Sequence, residues 1–174
     1  MEKKVLVAYA STHGSTQEVA EVIAESLREC GLVVDLQHIR KVRTLDGYAA
    51  VVLGAPLYMF HWHKDGLRFL SQNQKALLGG LPLAIFAGGP TGAGDEKEWQ
   101  EVHSQFDKEL AKFPWLKPAA VEVIGGKFDP TRLRFPYSLI PALRQMPPTD
   151  LRDWDAIRTW AKHLPSLLID HVTR

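Results

Sequence analysis

Val5-Leu6-Val7-Ala8-Tyr9-Ala10-Ser11-Thr12-His13-Gly14-Ser15-Thr16-Gln17-Glu18 decides how this chain is read. Val5 to Ala10 is a short, almost wholly apolar run, as a strand covered on both faces should be. Val19, Ile23, Leu27 and Cys30 then fall at helical spacing over residues 16–30, and Gly31 supplies a stop. Between strand and helix, Ser11–Thr16 holds the hydroxyls of Ser11, Thr12, Ser15 and Thr16 together with Gly14. Backbone N–H groups at a helix N-terminus carry partial positive charge. Hydroxyls add donors without bulk, and glycine lets the backbone come close to an anion. This is chemistry for a phosphate monoester. The competing reading is a helix cap: Ser15-Thr16-Gln17-Glu18 is a capping box, which accounts for Ser15 and Glu18 but not for Ser11, Thr12 and Thr16. Neither G-x-G-x-x-G nor G-x-x-x-x-G-K-[ST] occurs, which argues against a Rossmann dinucleotide site and a P-loop nucleotidase.

Outward from this stretch the chain alternates strand-like and helix-like blocks. Residues 32–36, 48–53, 81–87 and 121–124 read as further strands, with Pro82 at a strand start where a missing N–H is tolerated. Residues 64–78, 95–113 and 151–169 read as helices; Gln74 interrupts the apolar face of the first, and Pro165 is expected to end or kink the last. Such alternation predicts an α/β domain with a doubly wound, five-stranded parallel sheet and helices on both faces, spanning 1–174 as one unit. Segment 127–149 does not fit: it joins the last strand to the last helix, where roughly 2–6 residues suffice. It is apolar (Phe128, Leu133, Phe135, Tyr137, Leu139, Ile140, Leu143, Met146), and Lys127, Arg132, Arg134 and Arg144 face a single acid, Asp129.

Composition sets the limits. The chain has 174 residues, 45% hydrophobic and 24% charged, enough for a sizeable core. A net charge of +1 offers nothing to attract nucleic acid. Cys30, the single cysteine, excludes an internal disulfide framework and any multi-cysteine metal site. No apolar run nears the roughly 18 residues of a membrane span. The N-terminal apolar run is short and lacks a small-residue cleavage site, so a cytoplasmic protein is expected.

Two more loops leave carboxyl ends of predicted strands. Gly54-Ala55-Pro56-Leu57-Tyr58-Met59-Phe60-His61-Trp62-His63 is rich in aromatics, the walls a flat, partly apolar ligand needs; simple packing of Phe60 and Trp62 on the next helix is the alternative. Gly88-Gly89-Pro90-Thr91-Gly92-Ala93-Gly94 offers close backbone approach and free N–H groups, or else a flexible turn ahead of the cap at Asp95. His61 and His63 form an H-x-H with no third ligand in view, and no metal is expected.

The sequence A-Y-A followed by S-T-H-G-S-T resembles the FMN-phosphate loop of flavodoxins. G-A-P-L-Y-M-F-H-W-H-K, F-A-G-G-P-T-G, G-G-K-F-D-P-T-R-L and the run from Arg152 to Ala161 (R-D-W-D-A-I-R-T-W-A) extend the likeness across the chain. They resemble the flavodoxin-domain family related to menaquinone-dependent protoporphyrinogen oxidase. The resemblance implies a flavodoxin-like sheet in the order 2-1-3-4-5. It implies FMN held by Ser11, Thr12, His13, Gly14, Ser15 and Thr16 at the phosphate. Pro56, Leu57, Tyr58, Met59 and Trp62, with Gly88, Gly89, Pro90, Thr91 and Gly92, would lie around the ring, and Tyr58 or Trp62 would stack on it. It also implies two-electron chemistry between an organic donor, with protoporphyrinogen IX the candidate, and a quinone. Two alternatives stand beside this: an electron carrier docking on redox proteins, against which the charge of +1 counts because such carriers are usually acidic, and an FMN-binding module without turnover. No catalytic acid or base is assigned. The insertion at 127–149 is expected to set specificity by covering the flavin edge or by touching a membrane surface. An ordinary packed subdomain and a homodimer contact are the competing readings.

Overall fold

The computed structural model describes residues 2–170. Strand β1 (Lys4–Tyr9) leads into α1 (Ser15–Glu29), followed by β2 (Val33–His38), β3 (Ala50–Tyr58), β4 (His61–Trp62), α2 (Lys64–Gln72), α3 (Gln74–Leu78), β5 (Leu83–Gly88), α4 (Glu96–Leu110) and β6 (Ala120–Ile124). The region up to the last helix adds β7 (Lys127–Phe128), α5 (Pro141–Arg144) and β8 (Thr149–Asp150) before α6 (Trp154–Leu168) closes the described chain.

The five long strands pair in parallel in the order β2-β1-β3-β5-β6. Because β4 is only a short antiparallel return on β3, this is the expected order 2-1-3-4-5 of a flavodoxin-like sheet. Successive side chains alternate across the sheet. Val5 and Val7 of β1 meet Val19, Ile23 and Leu27 of α1 and Ile157 and Leu164 of α6 on one face. Leu6 and Ala8 meet Phe69 and Leu70 of α2 and Phe106 of α4 on the other. Burial on both sides explains the unbroken apolar runs of β1, β3 and β5. Gly54 in β3 is required by packing: a Cβ there would lie 1.8 Å from the Phe86 ring of β5.

Several boundaries differ from the sequence reading. The helix expected over 64–78 breaks at Asn73, whose side-chain amide donates to the Phe69 carbonyl at 2.9 Å. The aromatic stretch expected as a loop after residue 53 is a hairpin: β3 runs on to Tyr58, and Leu57 and Tyr58 pair with Trp62 and His61. Its turn residues Met59 and Phe60 have φ of 48° and 68°. Positive φ at both central positions matches the right-handed twist of the flanking strands, and is normally supplied by Asn-Gly. Pro165 does not end α6, which continues to Leu168. Segment 127–149 is built from the antiparallel pair β7–β8 (Lys127 opposite Asp150), two 3-10 turns and α5. Among the described residues no helix is long and apolar enough to cross a membrane.

Candidate functional site

From β1 the chain moves outward to β2 and then returns past β1 to β3. The connections at the carboxyl ends of β1 and β3 therefore diverge, and open α/β sheets bind ligands in the crevice so formed, as flavodoxins do with FMN. Here the crevice receives the loop from β1. Gly14, at φ 91°, sits in the N-cap position, and its N–H donates to Ser11 Oγ at 2.8 Å. The first helical bond runs from the Glu18 N–H to the Gly14 carbonyl at 3.1 Å. Ser15 is thus the first helical residue and not the cap, so the capping box read from Ser15 and Glu18 does not form. No side chain caps α1. Thr12, Ser15 and Thr16 line the crevice with hydroxyls that the cap does not use. The N–H groups of Ser15, Thr16 and Gln17 precede the first intrahelical bond and point out of the helix end. Ser11 and Gly14 shape the loop and face a second, outer cleft described below.

The crevice floor comes from Pro56, Leu57 and Tyr58 at the end of β3, from Gly88 at the end of β5 and from Gly89 and Thr91 just beyond it. A Cβ on Gly88 would sit 3.4 Å from both Thr16 Oγ1 and Pro56 Cα, so glycine keeps the two strand ends close. The Tyr58 ring lies between His13, at 6.2 Å, and Tyr137 of the insertion, edge-on at 5.4 Å. Burial, reinforced by Tyr137, pushes the Tyr58 phenol up. The outer wall is the start of the insertion: Phe128, Asp129, Arg132 and Leu133. Arg132 Nη1 donates to the His13 carbonyl at 3.1 Å. The His13 Nδ1 is buried without a hydrogen-bond partner. Burial first, then the nearby Arg134 cation, holds this imidazole below its ordinary pKa.

Six expected residues lie outside the crevice lining: besides Ser11 and Gly14, which face the outer cleft, these are Met59, Trp62, Pro90 and Gly92. Trp62 is 1% exposed, donates from Nε1 to the Ala55 carbonyl at 2.9 Å, and packs on Phe106 at 5.5 Å. It belongs to the core between the sheet and α4, because the hairpin alternation that puts Tyr58 on the crevice side turns Trp62 inward. Met59 stands 54% exposed at the hairpin tip. Pro90 and Gly92 are absent from the crevice lining. The N–H groups expected to be free in this loop are partly spent: Gly92 and Gly94 donate to the Glu98 carboxylate at 2.8 and 2.6 Å, and Gly89 donates to the Ile124 carbonyl. His61 and His63 diverge. His61 lies 3.5 Å from Glu109 of α4, while His63 Nδ1 accepts from the Asp65 N–H as the N-cap of α2.

One residue that matters here was quoted in the sequence only as part of a family-like run. The Arg152 side chain is 4% exposed, places Nη1 2.9 Å from Glu18 and Nη2 2.8 Å from Asp150, and stacks over Trp154 at 4.6 Å. It joins the return strand of the insertion to the first turn of α1. Thr149 adds a hydrogen bond to the Thr91 carbonyl in the loop after β5. The partners of Arg152 are 2 and 134 residues away in sequence, so only the fold reveals the more distant pairing.

A doubly wound parallel sheet, with a hydroxyl-rich helix N-terminus and an aromatic-lined crevice at its switch point, defines an α/β domain of the doubly wound class. The flavodoxin domain model matches residues 6–140, and the chain belongs to the flavodoxin domain family. The chain is 25% identical to the protoporphyrinogen IX dehydrogenase [quinone] of Escherichia coli K12, over 94% of this chain and 96% of that one. Among solved structures it resembles a short-chain flavodoxin associated with a PDU bacterial microcompartment, at TM-score 0.58 and 18% identity over 98% and 99% of the two chains. It also resembles a flavodoxin from the Archaea, at TM-score 0.57 and 15% identity over 94% and 96%.

Proposed function

We propose that this chain binds FMN in the crevice and is an oxidoreductase that passes electrons from an organic donor, protoporphyrinogen IX, to a quinone. The observation that carries the reading is the set of hydroxyls left uncommitted around the open end of α1, next to an aromatic floor. The fit to FMN is specific in three respects. Thr12, Ser15 and Thr16 supply neutral donors for a phosphate. The strand ends held together at Gly88 and Pro56 leave a flat slot, and Tyr58 offers it a face. The partnerless His13 Nδ1 supplies a further polar contact at the phosphate end. FMN supplies the redox chemistry when bound, while the chain supplies position and electrostatics. Phe128 and Leu133 exclude water from the slot, and Arg132 fixes the phosphate loop through the His13 carbonyl.

The name of the Escherichia coli relative supports the donor and acceptor classes. The net charge of +1 disfavours an acidic carrier. The tip of the insertion, with Phe135 and Leu139 at 79% and 68% exposed, lies close in sequence to Arg144. Such a face suits an anionic membrane surface, where a lipid-soluble quinone resides. The decisive assay is anaerobic: FMN-loaded protein, protoporphyrinogen IX and menadione, followed by porphyrin fluorescence. Multiple turnovers that require the quinone support the reading. FMN binding without turnover would leave a non-catalytic module, and reduction only through a reductase or cytochrome would leave a carrier.

A further inference from the structure

A second cleft lies on the outer side of the phosphate loop, and the proposed flavin slot does not use it. Ser11, His13, Gly14 and Gln17 form its floor, with His38 at the end of β2. Arg132 and Arg134 of the insertion overhang it. Its character is opposite to that of the slot: polar, open and cationic. Arg132 is tethered, by Nη1 to the His13 carbonyl at 3.1 Å and by Nε to Asp129 at 3.7 Å. Arg134 is exposed, and among the described residues no carboxylate pairs with it. It is near enough to His13 to contribute to that imidazole's lowered pKa. Two guanidiniums, two imidazoles and a glycine-bearing loop thus converge, with Asp129 beside Arg132 and with Glu21 at the rim, where it accepts from the Gln17 amide at 3.1 Å.

We infer that this outer cleft is a carboxylate subsite that receives the anionic arms of the electron donor, with Arg134 as its specificity-determining residue. The inference rests on the proposed oxidoreductase reading and deepens it. A guanidinium is the donor suited to a carboxylate because its planar fork pairs with both oxygens. Arg132 is held by its own contacts and sets the wall; Arg134 is left to meet the ligand. The cleft adjoins the slot through the shared residues Thr12, His13 and Arg132. A donor anchored by its carboxylates therefore lies beside the flavin position without displacing it.

The test uses the full-length FMN-loaded protein and two probes: protoporphyrin IX, which carries two propionates, and its dimethyl ester. Binding is followed by quenching of protein fluorescence. The expected result is tighter binding of the free acid than of the ester in the wild type. Arg134→Gln should weaken binding of the free acid roughly tenfold, as for one lost charge-assisted hydrogen bond, and leave the ester and FMN content unchanged. Arg134→Lys should restore part of the loss. Equal binding of acid and ester by the wild type, or an acid preference that survives Arg134→Gln, overturns the subsite while leaving a tetrapyrrole donor standing. If FMN binds and neither probe does, the subsite and the donor assignment both fail, and the FMN assignment stands.

Discussion

The Arg152 guanidinium lies 2.9 Å from the Glu18 carboxylate and is nearly sealed from solvent, so the return of the insertion is anchored to the first turn of α1, directly after the hydroxyl-rich loop from β1. Asp150 holds the other side of the same guanidinium, and this contact keeps the Asp150 carboxyl below its ordinary pKa. Glu18 and Asp150 are 44% and 43% exposed, so water partly replaces the guanidinium when it is removed, and the cost is about 1–3 kcal/mol. Arg152→Ala is expected to lower unfolding free energy by that order in urea melts and to expose residues 127–149 to limited proteolysis. Unchanged stability and unchanged cleavage would show that the anchor is idle.

The two aromatic residues of the hairpin are expected to separate cleanly. Tyr58→Leu should change the fluorescence and affinity of bound flavin with little effect on stability. Trp62→Phe should leave flavin binding alone but cost about 1–3 kcal/mol, since it strands the buried Ala55 carbonyl. Paired flavin titrations and urea melts of the two variants check this, and the reverse pattern would return Trp62 to the ligand site.

His63 gives a pH dependence with a defined sign. Its Nδ1 accepts the Asp65 N–H at 3.1 Å, which requires that nitrogen to be unprotonated. Burial depresses its pKa, and the neighbouring Asp65 carboxylate, 4.0 Å away, offsets this only in part. Near and below the ordinary histidine pKa the unfolded chain therefore binds more protons than the native one. The stabilisation is full above about pH 6.5 and is lost as pH falls through that range. His63→Asn keeps an N-cap acceptor and cannot titrate. The melting temperature of the wild type should fall more steeply between neutral and mildly acidic pH than that of the variant; parallel curves would remove His63 from the account.

The sequence made the sheet legible because β1, β3 and β5 are buried on both faces and so carry unbroken apolar runs. The loop from β1 stood out in the sequence because one helix cap does not account for the hydroxyls of Ser11, Thr12, Ser15 and Thr16 together; the fold spends Ser11 on the Gly14 N–H and leaves the others off the cap. The hairpin was not, since Met59 and Phe60 adopt positive φ without the Asn or Gly that announces such a turn. Trp62 shows a second limit: an aromatic residue beside a cleft and one in the core look alike until the strand register assigns each a face. Glu98 shows a third. It reads as part of a helix start, and only the fold reveals that its carboxylate collects the N–H groups of Gly92 and Gly94.

The central claim, that the loop from β1 holds the phosphate of FMN, is tested most directly by titrating the flavin-free protein with FMN and with riboflavin, for the wild type and for Thr12→Ala/Ser15→Ala. Both substituted hydroxyls line the crevice and neither caps the helix, so the fold should persist, as circular dichroism will show. The account predicts that the wild type prefers FMN strongly over riboflavin. It predicts that the double variant loses roughly a hundredfold in FMN affinity, as for two charge-assisted hydrogen bonds, while its riboflavin affinity is unchanged. Equal affinity of the wild type for the two flavins, or an FMN preference untouched by the double substitution, would contradict it.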